Sequence, residues 1–288
     1  MKYSELAEVY RQLSSTTKRL EKTEHVAEFL KKVHADETEE VVLLLQGRIF
    51  PAWDERELGV AAQLMAKAIS LASGNEISSI KKEWKKTGDL GDVAENLIKG
   101  KKQHTLASSE LTVKKVFSNL RKLAEESGGG SVDRKLQLIA ELLSSSKGNE
   151  AKYITRTILG VLRVGLGEGT LRDSIVWANF MKVTDDMDKE KREKYNSFVD
   201  AVQEAYDLTN DFAVVAKISK EKGVKGLKSV KIKMGKPIKV MLALKTENAT
   251  EAFETVGKPA SVEFKYDGFR LEIEKDEKGN ITLFTRRL

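Results

Sequence analysis

The chain has 288 residues, 40% hydrophobic and 33% charged, a globular composition with enough length for a real core. It contains no cysteine, which excludes disulfides and thiolate metal sites, and its three histidines, His25, His34 and His104, are too scattered for a histidine-rich metal centre. The formal net charge of +6 suits an anionic partner such as nucleic acid, although lysine-rich thermophilic proteins carry similar charge without one. No apolar run of about 18 residues occurs, so no membrane span is expected. The opening MKYSELAEVYRQL is charged and amphipathic, unlike a secretion signal, and a cytoplasmic protein is expected.

Only three prolines occur, Pro51, Pro237 and Pro259, and between the first two the apolar residues recur at three and four. Ala61, Leu64, Met65, Ala68 and Leu71 form one such stripe, and Leu136, Ile139, Ala140 and Leu143 another; both predict helices. Thr112 and Ser131 suit N-caps, and Gly74, Gly100 and Gly223 suit helix stops. About ten helices joined by short loops are expected over the first ~225 residues, a single all-helical unit spanning 1–228. Trp53, Trp84 and Trp177 sit in helical patterns and read as core. DDMDKEKREK, residues 185–194, reads as a solvated helix start.

After that the periodicity changes. SVKIKM, SVEFKY, FRLEIEK and ITLFTRR alternate apolar with polar residues and predict strands; KDEKGN predicts a hairpin turn, and NATEAFETV a helix. A β-containing unit is therefore expected over 229–288, and two or three strands with a hairpin do not make an independent core. Across its start, from Lys217 to Lys239, nine lysines face one acid, Glu221. That strip is either a solvated linker or a phosphate-facing surface.

The segment VEFKYDGFRLEIEKD contains Lys265, Asp267, Gly268 and Arg270 in the pattern Lys-x-Asp-Gly-x-Arg, the nucleotide-attachment motif of covalent nucleotidyltransferases. On a strand, Glu263 and Lys265 project to one face while Phe264 and Tyr266 anchor the other. A lysine that attacks an α-phosphate must be neutral, which costs about 4 kcal/mol at pH 7.4 from a free pKa near 10.4. Burial and neighbouring cations lower that cost, whereas Asp267 raises it unless a cation engages it. Gly268 lets the backbone turn or pass close to a nucleotide, and Arg270 offers a fork for ribose or phosphate oxygens. An ordinary strand-turn-strand with an exposed lysine is the plain alternative.

Beyond the motif, the whole chain resembles the N-terminal part of an ATP-dependent DNA ligase of the archaeal and eukaryotic type. The resemblance runs through TGDLGDVAENL (87–97), LTVKKVFSNLRKLAEESGGGSVDRKLQLI (111–139), YITRTILGVLRVGLGEGTL (153–171), GKPIKVMLA, EFKYDGFR and FTRRL. It is nearest the archaeal members, because no long N-terminal extension precedes the helices. Val240 stands where the family usually has proline, a peripheral departure. The resemblance implies a mainly α chain: an all-helical DNA-binding domain followed by the first strands of an α+β adenylation (nucleotidyltransferase) domain, truncated. It implies that Lys265 is adenylated, that Glu263 reads the adenine amino group, and that Arg270 and Arg286 contact sugar or phosphates. ATP and Mg²⁺ are the implied cofactors, with no metal ligands within these residues. The partner is nicked double-stranded DNA bound without sequence preference, and a monomer working beside a sliding clamp is expected. A piece of this extent is expected to bind DNA but not to seal it.

Two glycine-rich turns are the expected DNA contacts. Ser127–Val132 includes Gly129, Gly130 and Ser131 ahead of Arg134 and Lys135; Arg163–Asp173 includes Gly165 and Gly167, with Arg156 nearby. Free amides and the positive end of a helix dipole suit a phosphate there. No Arg/Asn/Gln cluster faces one groove, so backbone and minor-groove contacts are expected. GDLGD (88–92) is either a helix joint or a DNA contact. An RNA ligase or capping enzyme, and a non-enzymatic helical DNA-binding module, are the remaining alternatives; the long helical unit argues against the first.

Overall fold

The computed structural model describes residues 1–100, 110–239 and 244–285. Among these are thirteen α-helices, a short 3₁₀ turn at Ala35–Glu37 and one two-stranded antiparallel sheet. The first three helices are α1 (Tyr3–Ser15), α2 (Arg19–Lys32) and α3 (Thr38–Leu45), followed by α4 (Ala62–Ser73), α5 (Ile77–Thr87) and α6 (Leu90–Lys99). Then come α7 (Val113–Glu125), α8 (Ser131–Ser145), α9 (Gly148–Ile158), α10 (Glu168–Asn179), α11 (Lys189–Thr209) and α12 (Phe212–Lys228). A short α13 (Ala249–Val256) precedes β1 (Leu271–Lys275) and β2 (Ile281–Thr285). The fold is mainly α, as expected, with twelve helices before residue 229 where about ten were expected. No helix among the described residues is long and apolar enough to cross a membrane.

Helix α7 shows how the sequence makes these elements. Thr112 caps it by accepting from the Lys115 amide at 3.1 Å, and Val113, Val116, Phe117, Leu120 and Leu123 bury one stripe. Each such side chain contributes about 1.5–3 kcal/mol when fully buried. The stripes of α1 to α12 meet in one continuous core, with the closest packing between α6 and α9, α10 and α2, and α4 and α8. Tyr10 is fully buried in it: its ring lies 4.9 Å from that of Tyr153, and its hydroxyl donates to the Leu44 carbonyl at 2.7 Å. The amino terminus is fastened as well, by backbone bonds between Tyr3 and Leu111 and between Val113 and Met1.

Several details depart from the sequence reading. The α4 stripe is Met65, Ala68, Ile69 and Ala72, while Ala61 and Leu71 are exposed, because packing on α8 rotates the buried face by about one position. Gly130, not Ser131, is the N-cap of α8; its φ of 74° is left-handed backbone that glycine adopts freely. Gly74 and Gly100 end helices as expected, but Gly223 only breaks α12, which resumes for a last turn to Lys228. Trp177 is buried, whereas Trp84 is half-buried at the core's edge and Trp53 half-buried in the loop between α3 and α4. α11 begins on Asp188, with a charged and exposed first turn.

The β segment is smaller than expected. Leu271–Lys275 and Ile281–Thr285 pair, and Asp276 closes the turn by accepting from the Lys278 and Asn280 amides at 2.9 and 2.8 Å. SVKIKM and SVEFKY form no strand, since nothing among the described residues pairs with them. No strand residue enters the core, and Ile273, Ile281 and Leu283 remain exposed. A lone hairpin lacks the apolar partner surface that would hold more strands.

Candidate nucleic-acid interface

The glycine turn before α8 is open. A Cβ built at Gly128 or Gly129 would meet nothing within 4 Å among the described residues, and both Gly128 and Gly130 have left-handed φ. Arg134 braces the turn from inside the first helical turn, donating to the Gly129 and Ser127 carbonyls at 3.0 and 3.2 Å and pairing with Glu126. Its guanidinium is half exposed, so it keeps a face toward solvent beside the α8 N-terminus. Lys135 is different: it is buried, and its Nζ donates to the Leu58 carbonyl at 2.8 Å, tying α8 to the loop before α4.

The second turn, between α9 and α10, is built around a buried ion-pair network. Asp89 caps α6, accepting from the Gly91 and Asp92 amides at 2.7 and 3.2 Å. The same carboxylate, 5% exposed, receives the Arg156 guanidinium of α9 at 3.1 Å and Arg163 at 2.8 Å. Arg156 also reaches Asp92 at 3.3 Å, and Lys152 bridges Asp92 and Glu95 at 2.7 and 3.1 Å. Burial alone would raise the Asp89 pKa, but the hydrogen bond and charge of Arg156, helped by the Asp92 and Gly91 amides, hold it below the usual carboxylate range. GDLGD is thus the joint between α6, α9 and the following loop.

Beyond that joint, the chain runs through left-handed backbone at Gly160, Arg163 and Gly165. Lys22, buried on α2, supports it by donating to the Val164 and Gly165 carbonyls at 2.7 and 3.0 Å. A Cβ at Gly165 would stand 2.6 Å from that ammonium, and its φ of 62° is left-handed backbone that glycine adopts freely. Gly167 caps α10, and a Cβ there would meet nothing within 4 Å among the described residues. Arg163 is 56% exposed and engages Asp89 through Nη1, which leaves further donors turned outward.

The structure therefore separates the expected DNA-contact residues into two groups. Gly129, Gly130, Ser131, Arg134, Arg163, Gly165 and Gly167 lie on two glycine turns at helix N-termini. Arg156 and Lys135 are buried in internal contacts and position those turns. Sequence reasoning missed Lys22, which carries no local signal, and the role of Asp89, whose N-cap position ahead of Asp92 was a usable signal.

The lysine strip divides too. Lys217 pairs with Glu39, Lys220 donates to the Leu30 carbonyl, and Lys236 stacks over the Trp53 ring at 5.6 Å. Lys239 is held by Glu168 at 2.9 Å and the Tyr206 hydroxyl at 3.1 Å, while its amide donates to the Asp207 carbonyl. Lys222, Lys225, Lys228, Lys231 and Lys233 are exposed, with no ion pair among the described residues. The hairpin contacts this segment through Glu274, which accepts from the Gly235 amide, and Glu272, which accepts from Ile238 at 3.4 Å.

Lys265 lies outside any strand. Residues 261–270 are all exposed; Phe264 and Tyr266 are each 88% exposed and anchor nothing among the described residues. The expected strand has no neighbour to pair with, so Glu263, Lys265 and Arg270 are not gathered around a cavity. Arg286 and VMLA (240–243) lie outside the described residues. Among the described residues no cluster of three His, Asp or Glu side chains could hold a metal.

Comparison with known proteins gives the class. Residues 2–176 match the family described as DNA ligase N terminus, and residues 240–288 match the ATP dependent DNA ligase domain. The chain belongs to the DNA ligase family. Among its relatives are the DNA ligases of Thermococcus onnurineus, 42% identical over 288 residues, and Nanoarchaeum equitans, 41% identical over 289; each alignment covers 100% of this chain and 48% of the relative. That of Archaeoglobus fulgidus is 38% identical over 290 residues, covering 100% of this chain and 49% of the relative. The chain spans about half the length of the relatives it matches.

Proposed function

We propose that this chain is the DNA-holding and nucleotide-attaching portion of an ATP-dependent DNA ligase, with a helical DNA-binding domain over 1–228 and the start of an adenylation domain over 229–288. The observation that carries the reading is the Lys265-x-Asp267-Gly268-x-Arg270 motif inside the segment matched to the ATP dependent DNA ligase domain, behind a helical unit matched to the ligase N terminus. In the whole enzyme, the neutral Lys265 amine attacks the α-phosphorus of ATP. An N–P bond forms, the bond to the β-phosphate oxygen breaks, pyrophosphate leaves and the amine loses a proton. The adenylyl group then passes to the 5′-phosphate of a nick, restoring the lysine, and the 3′-hydroxyl displaces AMP. Glu263 reads the adenine, and Arg270 and Arg286 hold sugar or phosphate oxygens. A divalent ion such as Mg²⁺ would neutralise phosphate charge during the transfer.

The helical unit grips the duplex. The α8 and α10 N-termini present free amides and dipole ends to the phosphate backbone, with Arg134 and Arg163 beside them. Contacts of this kind position DNA without reading bases, so nicked duplexes bind regardless of sequence. The same reading makes the protein an intracellular monomer that works beside a sliding clamp. Two measurements test it. The 288-residue chain should bind a nicked duplex more tightly than single-stranded RNA and seal nothing; preference for the RNA would point to the RNA-ligase class instead. In the whole enzyme, Lys265→Ala should abolish sealing and leave DNA binding intact, and retained sealing would overturn the assignment.

A further inference from the structure

Between α12 and the segment that follows it lies a cavity of about 310 Å³ that the ligase reading does not use. Its floor includes the half-buried Val214, Ile218 and Val230, and its exposed edge carries Lys222, Lys231 and Lys233. Lys236 also lines it, and among the described residues no acidic side chain does. The cavity exists because α12 breaks at Gly223, runs one more turn, and reverses at Ser229. The amides of Ser229 and Val230 close that turn onto the Gly226 and Leu227 carbonyls at 3.2 and 3.1 Å. Its outer wall is pinned, since Lys236 rests on Trp53 and Lys239 is held at Glu168. Glu274 of the hairpin accepts from the Gly235 amide and is not part of the lining.

Four like charges around an apolar floor repel one another and leave apolar surface in water; both costs are relieved by one kind of occupant. We propose that this cavity docks an acidic peptide segment of a partner protein, whose apolar side chain fills the floor while its carboxylates meet the lysine edge. A nucleic-acid backbone would satisfy the lysines but bring no apolar group to Val214, Ile218 and Val230. At about 300 Å³ the space is at the small end of pockets that hold a ligand, enough for an anchor side chain rather than a folded partner.

The test uses the 288-residue chain, a dye-labelled heptapeptide of five acids flanking a leucine-phenylalanine pair, and a control with serines in place of that pair. Anisotropy should show binding of the first peptide and at least tenfold weaker binding of the control. Methyl NMR should show shifts at Ile218 and Val230. The double variant Lys231→Glu, Lys233→Glu changes two exposed side chains outside the core and should keep the wild-type melting curve while losing at least tenfold in peptide affinity. Failure of the peptide to bind, equal binding of both peptides, or shifts at Ile218 and Val230 produced by duplex DNA but not by peptide would each overturn the proposal. None of these outcomes depends on nick sealing, so they are separable from the ligase reading.

Discussion

Replacing Asp89 by alanine removes one carboxylate that serves three purposes: it caps α6, neutralises the buried Arg156 and holds the exposed Arg163. Loss of the cap costs about 1 kcal/mol. Leaving a buried cation without its partner costs about 3–5 kcal/mol, softened here because Arg156 still reaches Asp92 at 3.3 Å. The sum is about 4 kcal/mol, a large part of a total stability on the order of 5–15 kcal/mol. Urea unfolding followed by helical circular dichroism should show the midpoint fall with the slope unchanged, and calorimetry a melting temperature lower by about 10 °C. Asp89→Asn keeps a capping oxygen and should lose less. The pH dependence follows the same carboxylate. Because its folded pKa is depressed, its contribution is fully present above the unfolded value near 3.9 and is lost as pH falls through the lower folded value. The wild type should therefore lose stability in that acid window more steeply than Asp89→Asn. A loss below about 1 kcal/mol for Asp89→Ala would refute the view that this network joins α6 to α9.

Other perturbations probe the proposed interface and linker. Arg163→Ala should weaken binding to nicked DNA and flatten the log affinity against log salt slope by about 0.9, the contribution of one phosphate contact; an unchanged slope removes Arg163 from the interface. Gly165→Ala must place a side chain at a φ of 62° and 2.6 Å from the Lys22 ammonium, so calorimetry should show a loss of about 2–3 kcal/mol. A neutral result would mean that Lys22 does not support the loop. Lys239→Ala frees the linker from Glu168 and Tyr206, and chymotrypsin should cut at Met234 or Phe253 faster while the melting temperature barely moves; unchanged cleavage would show the anchor to be idle.

The helical half of the fold was legible because it is local. Period, caps and glycines placed α7, α8 and α11; errors arose where tertiary packing chose the face, as on α4, where a glycine capped the helix instead of the serine beside it, and at Gly223, which breaks α12 without ending it. The β half was less legible. Alternation in SVEFKY and SVKIKM records a preference that pairing must complete, and only LEIEK and ITLFT find each other here. For the site, the glycine turns could be read from sequence, but the fate of each basic residue could not. Arg156 and Arg163 are separated by six residues; one is buried against Asp89 and Asp92, while the other is exposed on a left-handed turn. Charge alone does not distinguish a cation that meets a partner from one that holds the scaffold. The same holds for the lysine strip, where Lys220 and Lys239 are spent internally and Lys231 and Lys233 are not.

The most direct measurement is peptide mass spectrometry of the full-length enzyme after incubation with ATP and Mg²⁺ and rapid quenching. The account predicts the mass of a single adenylyl group on the peptide that contains Lys265, acid-labile and discharged when nicked DNA is added. An adduct on a different residue, or no adduct in enzyme that still seals nicks, would contradict it.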